Sequence, residues 1–156
     1  MSARNSAALV RFSTRLNAVV TTILRSPLHW LLSPGLMLIT VTGRKTGRRY
    51  TIPVGYHRTD DAIIVIVGEA PRKTWWRNYR DAGPIELRLH GKVLHGQAEV
   101  LPSDAPEFRR RAEASFRRSR VIPWIFGIAF DRRTGLTEAQ VKALSTHAAI
   151  VKISIE

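Results

Sequence analysis

The hydrophobic positions at the start of the chain follow the period of a helix. Apolar side chains recur every three or four residues, at Leu9, Phe12, Leu16, Val19, Val20, Ile23 and Leu24. Cations and polar residues take the other faces, and Pro27 follows the pattern directly. This arrangement is typical of an amphipathic helix over residues 1–25. Its apolar face either packs on a core or lies on a membrane surface.

Most of the remaining hydrophobic pattern predicts short strands separated by turn residues. The six predicted strands are Leu36–Thr42, Tyr50–Arg58, Ala62–Val67, Ile85–His90, Val93–Leu101 and Ala148–Ile155. The fourth and fifth form an antiparallel hairpin with a turn at Gly91-Lys92. The predicted helices are a short one over Lys73–Asp81, a basic one over 103–120 with Ser103 or Asp104 as its N-cap, and a last one capped by Thr137.

Six short strands with few, peripheral helices predict a mainly β, α+β fold built on a six-stranded antiparallel barrel. We expect a single domain over 1–156, because a chain of 156 residues can bury one substantial core. The barrel hairpins would occupy 36–101 and the final strand 148–155. So small a barrel has room for little besides side chains, so we expect a ligand to lie on its outside or in a cleft between two subunits. A homodimer is therefore an alternative to a monomer.

Composition adds a strong positive charge to this picture. The formal net charge is +13, and no acidic residue precedes Asp60. Such a charge implies an anionic partner: a nucleic acid, a phosphate- or carboxylate-rich ligand, or an anionic membrane. The absence of cysteine excludes disulfides and thiol nucleophiles and fits a reducing cytoplasm. Trp30 lies beside a cation-rich helix, and tryptophan next to cations is typical of a membrane interface. Peripheral contact with the inner membrane face is therefore an alternative interpretation of this segment.

The charge is densest between the first two predicted strands. Arg44, Lys45, Arg48 and Arg49 lie within six residues, and Gly43 and Gly47 bracket the first pair. A hairpin tip of this kind suits phosphate, because arginine grips it with two hydrogen bonds and glycine admits close backbone approach. The segment is not a Walker A loop, since only three residues separate the two glycines. A solvated basic turn is the alternative interpretation.

A second cluster of interest is the segment Lys73-Thr74-Trp75-Trp76-Arg77-Asn78-Tyr79. Adjacent tryptophans on a short helix cannot both face one core, so we expect one to pack inward and the other to line a pocket or interface. Asn78 either caps the helix or hydrogen-bonds a heteroaromatic ring. The preceding Gly68 leaves room for a ligand, and Lys73 adds a cation.

The remaining side chains offer little chemistry of their own. The five histidines show no metal-ligand spacing, and His90 and His95 are expected to face water. There is no Ser-His-Asp or paired-carboxylate pattern, so no metal and no catalytic residue is predicted. A bound cofactor would therefore supply any redox chemistry. Nucleic acid explains the charge less well, because the aromatic residues lie in apolar runs and no recognised binding motif occurs.

These motifs together resemble one known family. The run Leu38–Gly47, the later Pro53, and Trp75-Trp76-Arg77-Asn78 after a third strand resemble the deazaflavin-dependent nitroreductases of actinobacteria. That family uses coenzyme F420 and has the FMN-binding split β-barrel of the pyridoxamine-phosphate-oxidase-like flavoproteins. The resemblance spans Leu36 to Leu101. It implies an oxidoreductase that transfers a hydride from the reduced deazaflavin to an electrophilic acceptor such as a quinone, nitroaromatic or enone.

The resemblance also implies roles by position. Arg44, Lys45 and Thr46 would hold the phosphate and acidic tail, and Tyr50 to Val54 would run along the deazaflavin. The full set assigned to cofactor binding is Arg44, Lys45, Thr46, Arg49, Tyr50, Pro53, Val54, Gly68, Lys73, Trp75, Trp76 and Asn78. Trp124, Phe126 and Phe130 replace the late tyrosines of many family members and would line the substrate, which favours a bulky apolar acceptor. FMN is the alternative cofactor, and a non-catalytic carrier of the cofactor, haem or lipid is the alternative function.

Overall fold

The computed structural model describes the backbone of residues 3–156 and the side chains of residues 14–156. The α-helices in this part of the chain are α1 (Ala3–Arg25), α2 (Pro106–Arg118), α3 (Val121–Ile125) and α4 (Glu138–His147). Two 3-10 helices cover Pro27–Leu31 and Trp75–Tyr79. The strands are β1 (Leu36–Thr42), β2 (Arg49–Gly55), β3 (His57–Arg58), β4 (Ile63–Val67), β5 (Gly83–Leu89), β6 (Lys92–Val100) and β7 (Ala149–Ile155). The fold is therefore mixed α/β.

The predicted count of six strands is wrong, because the predicted strand Tyr50–Arg58 is two strands. β2 pairs with β1, whereas β3 pairs with β4, and Tyr56 separates them. A change of partner leaves the alternation of side chains intact, so hydropathy alone does not reveal it. The pairings of β1 with β2 and β5, of β4 with β3 and β7, and of β6 with β7 are all antiparallel, as predicted.

The chain divides into two compact units, of which the first contains the described residues up to Gly55 together with Ile85–His95. Its strand order is β2, β1, β5 and the start of β6. β1 is the buried strand of this unit: Met37, Leu38, Ile39 and Val41 are almost completely inaccessible. Leu24 near the end of α1 is also buried, whereas Leu16 and Val19 of the same helix are exposed. The predicted apolar positions Leu9 and Phe12 lie outside the described side chains.

The second unit, Tyr56–Pro84 with Gly96–Glu156, is built around α2. Its strand order is the rest of β6, then β7, β4 and β3. Phe108, Ala112 and Phe116 form the inner face of α2. They share one hydrophobic cluster with residues of β4, β7, α4 and the intervening loops, namely Ala62, Ile64, Leu101, Leu136, Leu144, Ala148 and Ile150.

A network of charges ties α2 to the rest of this unit. Arg111 donates to both carboxylate oxygens of Asp61, at 2.9 and 2.7 Å, and to Glu107 Oε1 at 3.0 Å. Lys152 of β7 lies 3.2 Å from the same oxygen of Glu107. The hydrogen bonds from Arg111 hold the pKa of Asp61 well below its ordinary value. Burial alone would raise the pKa of Glu107, but the hydrogen bonds from Arg111 and Lys152 outweigh it and lower that pKa.

His57 on β3 is buried beside this network and only 9% exposed. Its Nδ1 lies 2.9 Å from the hydroxyl of Ser115 on α2. Its Nε2 is buried and has no hydrogen-bond partner among the described residues. Burial lowers the pKa of His57, and the positive charges of Arg118 and Arg111 lower it further. The imidazole is therefore held in its neutral form.

Three boundary predictions change in the structure. The basic helix begins after Ala105 rather than after Ser103 or Asp104, because Pro106 at the first helical turn sets the start. The β5–β6 turn consists of His90 and Gly91, both with positive φ (48° and 76°), instead of Gly91-Lys92. The helix predicted over Lys73–Asp81 is shortened to a 3-10 helix over Trp75–Tyr79.

Two other expectations are confirmed, the cap of α4 and the exposure of two histidines. Thr137 caps α4 through a reciprocal capping box with Gln140. His90 and His95 are exposed. No helix among the described residues has the length and hydropathy of a membrane span.

The neutral state of His57 predicts how stability depends on pH. The unfolded chain accepts a proton on this histidine near pH 6.5, its ordinary pKa, whereas the folded state resists protonation. The folded pKa lies below the unfolded one, so the stabilisation is complete above pH 6.5 and is lost as the pH falls below it.

Urea unfolding of His57→Gln, which is neutral throughout, tests this prediction. Between pH 7.5 and 5.5 the variant should lose less free energy of unfolding than wild type, by at most about 1.4 kcal/mol. The matched control is His95→Gln at an exposed position, which should keep the wild-type response. An unchanged response in His57→Gln would contradict the assignment.

Candidate functional site

The cationic hairpin predicted from the sequence is present in the first unit. β1 and β2 pair in continuous register from Leu36↔Gly55 to Thr42↔Arg49, which leaves Gly43 to Arg48 as the connecting loop. Two backbone hydrogen bonds shape this loop: Gly47 N–H donates to Gly43 O at 2.8 Å, and Gly43 N–H donates to Arg48 O at 2.9 Å. Gly47 adopts a φ of 65°, the left-handed region that glycine occupies without strain. The loop therefore has a defined backbone conformation.

The loop carries several positively charged side chains that are exposed to solvent. Arg44, Lys45 and Arg48 are exposed, as is Thr46, whose hydroxyl accepts the Arg48 N–H at 3.3 Å. Arg49 differs from them, because its guanidinium donates to Glu86 of β5 at 2.9 Å. An anion at the loop would contact the exposed side chains of Arg44, Lys45 and Arg48. The guanidinium of Arg49 is held by a carboxylate.

β2, the strand that follows the loop, has backbone N–H and C=O groups along one edge that can hydrogen-bond a ligand. β2 is the last strand in the order of its sheet, so one of its two edges pairs with no strand in the described part of the chain. Tyr50, Pro53 and Val54 all lie on it, opposite Val41, Leu38 and Met37 of β1. Pro53 lacks an N–H and is acceptable here because an edge strand needs fewer ladder bonds. An unpaired strand edge is a template for ligand amide or carbonyl groups.

The adjacent tryptophans of the second unit face different environments: the inward packing of one is confirmed, and a pocket or interface at the other stays a prediction. Trp75 is 6% exposed and packs edge-to-face against Tyr79, with ring centroids 6.4 Å apart. Trp76 is half-buried, and its indole N–H donates to Ala70 O at 2.9 Å. The guanidinium groups of Arg77 and Arg80 lie 5.6 and 5.5 Å from the centroid of its ring. The polar end of Trp76 is thus already occupied.

Asn78 lies on this 3-10 helix, and Lys73 and Gly68 precede it in the chain. Lys73 is exposed, and the half-buried amide of Asn78 makes no hydrogen bond to any described residue. Gly68 faces the ring of Phe126: a Cβ built at Gly68 would lie 3.5 Å from it, an ordinary van der Waals distance. Gly68, assigned to the cofactor, and Phe126, assigned to the substrate, are therefore neighbours.

The other two residues assigned to the substrate line a cleft of about 350 Å³. Its apolar walls are Phe116, Pro123, Trp124, Ile128 and Phe130, and its polar residues are Ser119, Arg120 and Arg132. The ring of Phe116 packs edge-to-face against Phe130 at 5.4 Å between centroids and is stacked against Phe126 at 6.4 Å. Phe126 does not line the cleft.

The structure thus places the predicted residues in four groups. The hairpin and β2 carry Arg44 through Val54, Gly68 lies beside Phe126, and Trp124 and Phe130 share the cleft. The fourth group is the 3-10 helix with Trp75, Trp76 and Asn78, which Lys73 precedes. Sequence reasoning missed Phe116, Arg120 and Arg132. The sequence did contain a signal for these residues, because the arginine-rich end of α2 is followed directly by an aromatic segment. No group of three His, Asp or Glu side chains suited to a metal occurs among the described residues.

Solved structures similar to this one belong to proteins of low sequence identity. A FAD- and heme-binding protein of Mycobacterium smegmatis is 16% identical, with 85% of this chain and 67% of that chain covered and a TM-score of 0.49. A heme storage protein of Vibrio cholerae is 13% identical, with 81% and 84% covered and a TM-score of 0.47. A FAD-binding protein of Mesorhizobium loti is 16% identical, with 89% and 88% covered and a TM-score of 0.43. Similarity this remote assigns no ligand.

No curated protein matches the chain. The model of the F420H(2)-dependent quinone reductase family, in contrast, matches residues 11–119, more than two thirds of the sequence. This span includes the cationic hairpin, β2 and the 3-10 helix with the two tryptophans. The chain therefore belongs to the F420H2-dependent quinone reductase family.

Proposed function

We propose that this protein is an oxidoreductase that uses reduced F420 to transfer a hydride to an electrophilic acceptor, with quinones as the first candidates and nitroaromatics and enones as further ones. Family membership supports F420-dependent reduction. The observation that carries the proposal is the exposed cationic loop at the head of an edge strand. We also propose that the antiparallel sheet belongs to the split β-barrel class.

The hairpin matches the chemistry of the cofactor. F420 carries a phosphodiester and a glutamate tail, and Arg44, Lys45 and Arg48 supply exposed cations for them. The edge of β2 supplies backbone donors and acceptors for the polar rim of a deazaflavin ring. When bound, the reduced deazaflavin would supply the hydride, and the protein would align it with the acceptor and exclude water.

Residues of the second unit support the proposal unequally. The side chains of Lys73 and Asn78 make no hydrogen bond to described residues, so both can serve a ligand. Trp76 would contribute its ring, since its N–H is held by Ala70. Trp75 is buried, so it would act by anchoring the 3-10 helix rather than by contacting the cofactor. Phe126 beside Gly68 would provide an apolar wall for the acceptor.

A non-catalytic carrier of the cofactor, haem or lipid is the second candidate function. The open aromatic cleft around Trp124 is the observation that favours it, because a carrier needs a site for an apolar ligand but no reaction partner. Reduced F420 that stays unoxidised in the presence of protein and quinones, nitroaromatics and enones would support the carrier over the enzyme.

Cofactor choice is tested by calorimetric titration of the purified protein with F420, FMN and haem. We expect F420 to bind more tightly than FMN, because FMN has a phosphate but no glutamate tail for the three cations of the loop. Tight binding of FMN or haem without binding of F420 would contradict the proposal.

The role of the loop is tested by Arg44→Ala with Lys45→Ala. The double variant should lose about 1.5–3 kcal/mol of F420 binding free energy for each charged hydrogen bond removed, with little effect on folding. The loss should shrink at high salt, because exposed charges are screened. The matched control is Lys92→Ala, an exposed cation of the other hairpin in the same unit, which should bind normally. Normal binding by the double variant would show that the loop is only a solvated turn.

We further propose a cytoplasmic protein that contacts anionic membranes through the start of the first unit. Leu16 and Val19 of α1 are exposed, and so are Leu28, Trp30 and Leu31 of the following 3-10 helix. Arg15 and Arg25 lie on the same helix and are exposed. Exposed apolar and aromatic side chains beside cations are typical of an interfacial segment. The alternative partner for this surface is a second copy of the chain in a homodimer.

Vesicle binding separates these two partners. Wild-type protein should sediment with phosphatidylserine vesicles and less so as salt is raised, since each cation near the surface contributes about 1 kcal/mol. Trp30→Ser with Leu31→Ser should reduce sedimentation and leave the sedimentation coefficient of the free protein unchanged. A variant that instead converts a dimer to a monomer, from a wild type that ignores the vesicles, would contradict the membrane proposal.

A further inference from the structure

The cleft of the second unit exposes apolar side chains to solvent. Phe116 is completely buried at its base, and Phe130 packs edge-to-face against that ring. Trp124 is 79% exposed, the largest value among the large hydrophobic side chains described. Leaving an indole in water is unfavourable, because each Å² of apolar surface buried contributes about 25 cal/mol. A ligand that covers this ring would recover that free energy.

The polar side chains that line the cleft can all donate hydrogen bonds. The guanidinium groups of Arg120 and Arg132 form no hydrogen bond or ion pair with any residue the structure describes. Ser119 Oγ accepts the backbone N–H groups of Val121 at 3.2 Å and Ile122 at 3.3 Å, so its hydroxyl proton is directed elsewhere. The cleft thus offers two cations and a hydroxyl donor and no side-chain acceptor.

The carboxylates near the cleft form no ion pair with Arg120 or Arg132 among the described residues. Arg117 is also close to the cleft, but it is paired with a carboxylate. Its Nη1 lies 3.4 Å from Glu113 Oε2, and its guanidinium lies over the ring of Phe130. The carboxylate of Asp131 accepts the backbone N–H of Arg133 at 2.7 Å. Arg120 and Arg132 are therefore available to an external anion.

We propose that this cleft binds an anionic amphiphile: a small molecule with an apolar body against Trp124 and Phe130 and a carboxylate or phosphate held by Arg120 and Arg132. A neutral quinone would use the apolar walls but leave both guanidinium groups without an anion. The volume of about 350 Å³ lies at the lower end of the range of ligand pockets, ~300–1,000 Å³, which suits a medium-chain acid. The inference concerns binding alone and goes beyond the proposed F420 chemistry.

The experiment titrates cofactor-free protein with sodium decanoate below its micelle concentration. Trp124 should report binding as a saturable blue shift of emission, and Trp124→Phe should lose that shift. Calorimetry supplies the affinities. Decanol, the neutral probe with the same chain, should bind at least about tenfold more weakly than decanoate, because it leaves both cations unpaired. Decyl phosphate compares the two headgroups, and it too should bind at least about tenfold more tightly than decanol.

Variants locate the headgroup. Arg120→Ala with Arg132→Ala should weaken decanoate binding at least about tenfold and leave decanol binding unchanged. Arg133→Ala is the matched control, because this exposed arginine neighbours Arg132 but does not line the cleft. Folding of each variant is checked by circular dichroism, and Arg120→Lys with Arg132→Lys, which keeps both charges, should retain most of the affinity. Equal binding of decanol and decanoate, wild-type affinity in the double alanine variant, or no saturable binding would overturn the proposal. None of these outcomes depends on F420.

Discussion

The antiparallel pairing of β1 with β2 is the constraint on which the proposed cofactor site depends. Seven residue pairs join the two strands, and β1 is anchored by Met37, Leu38, Ile39 and Val41, which are almost fully buried. The buried strand holds the hairpin, so the loop can carry Arg44, Lys45 and Arg48 close together despite their mutual repulsion. β2 lies at the end of the strand order, which leaves one edge available. An anion that neutralises the loop would relieve the repulsion that the fold maintains.

The large net charge separates into cations with different roles. Arg111 is a structural residue, since it joins α2 to Asp61, pairs with Glu107 of the same helix and helps keep His57 neutral. Arg49 and Arg117 are also paired with carboxylates. Lys45, Arg48, Arg120 and Arg132 are among the cations that form no ion pair with described residues. The first two lie in the hairpin loop of the first unit and the other two line the cleft of the second, the two places at which we propose anionic ligands.

Much of the architecture was accessible from the sequence because it is encoded locally. The β1–β2 hairpin follows from two apolar runs around a Gly-bracketed loop, and the cap of α4 follows from Thr137 and Gln140. The break at Tyr56 was not accessible, since a strand that changes partner keeps its alternation. The cleft was missed for a related reason: Phe116, Arg120 and Arg132 lie on α2, after it and in a later loop, and only tertiary packing brings them together.

Anaerobic turnover tests whether the protein passes hydride from F420H2 to a quinone. Protein, F420H2 and a soluble naphthoquinone are mixed in the absence of oxygen, and the absorbance of oxidised F420 is followed together with reduction of the quinone. We expect both to change at the same catalysed rate, in a one-to-one ratio, and neither change to be catalysed when the protein is heat-denatured. F420H2 that binds but remains reduced in the presence of quinone would contradict the proposed hydride transfer and favour a carrier.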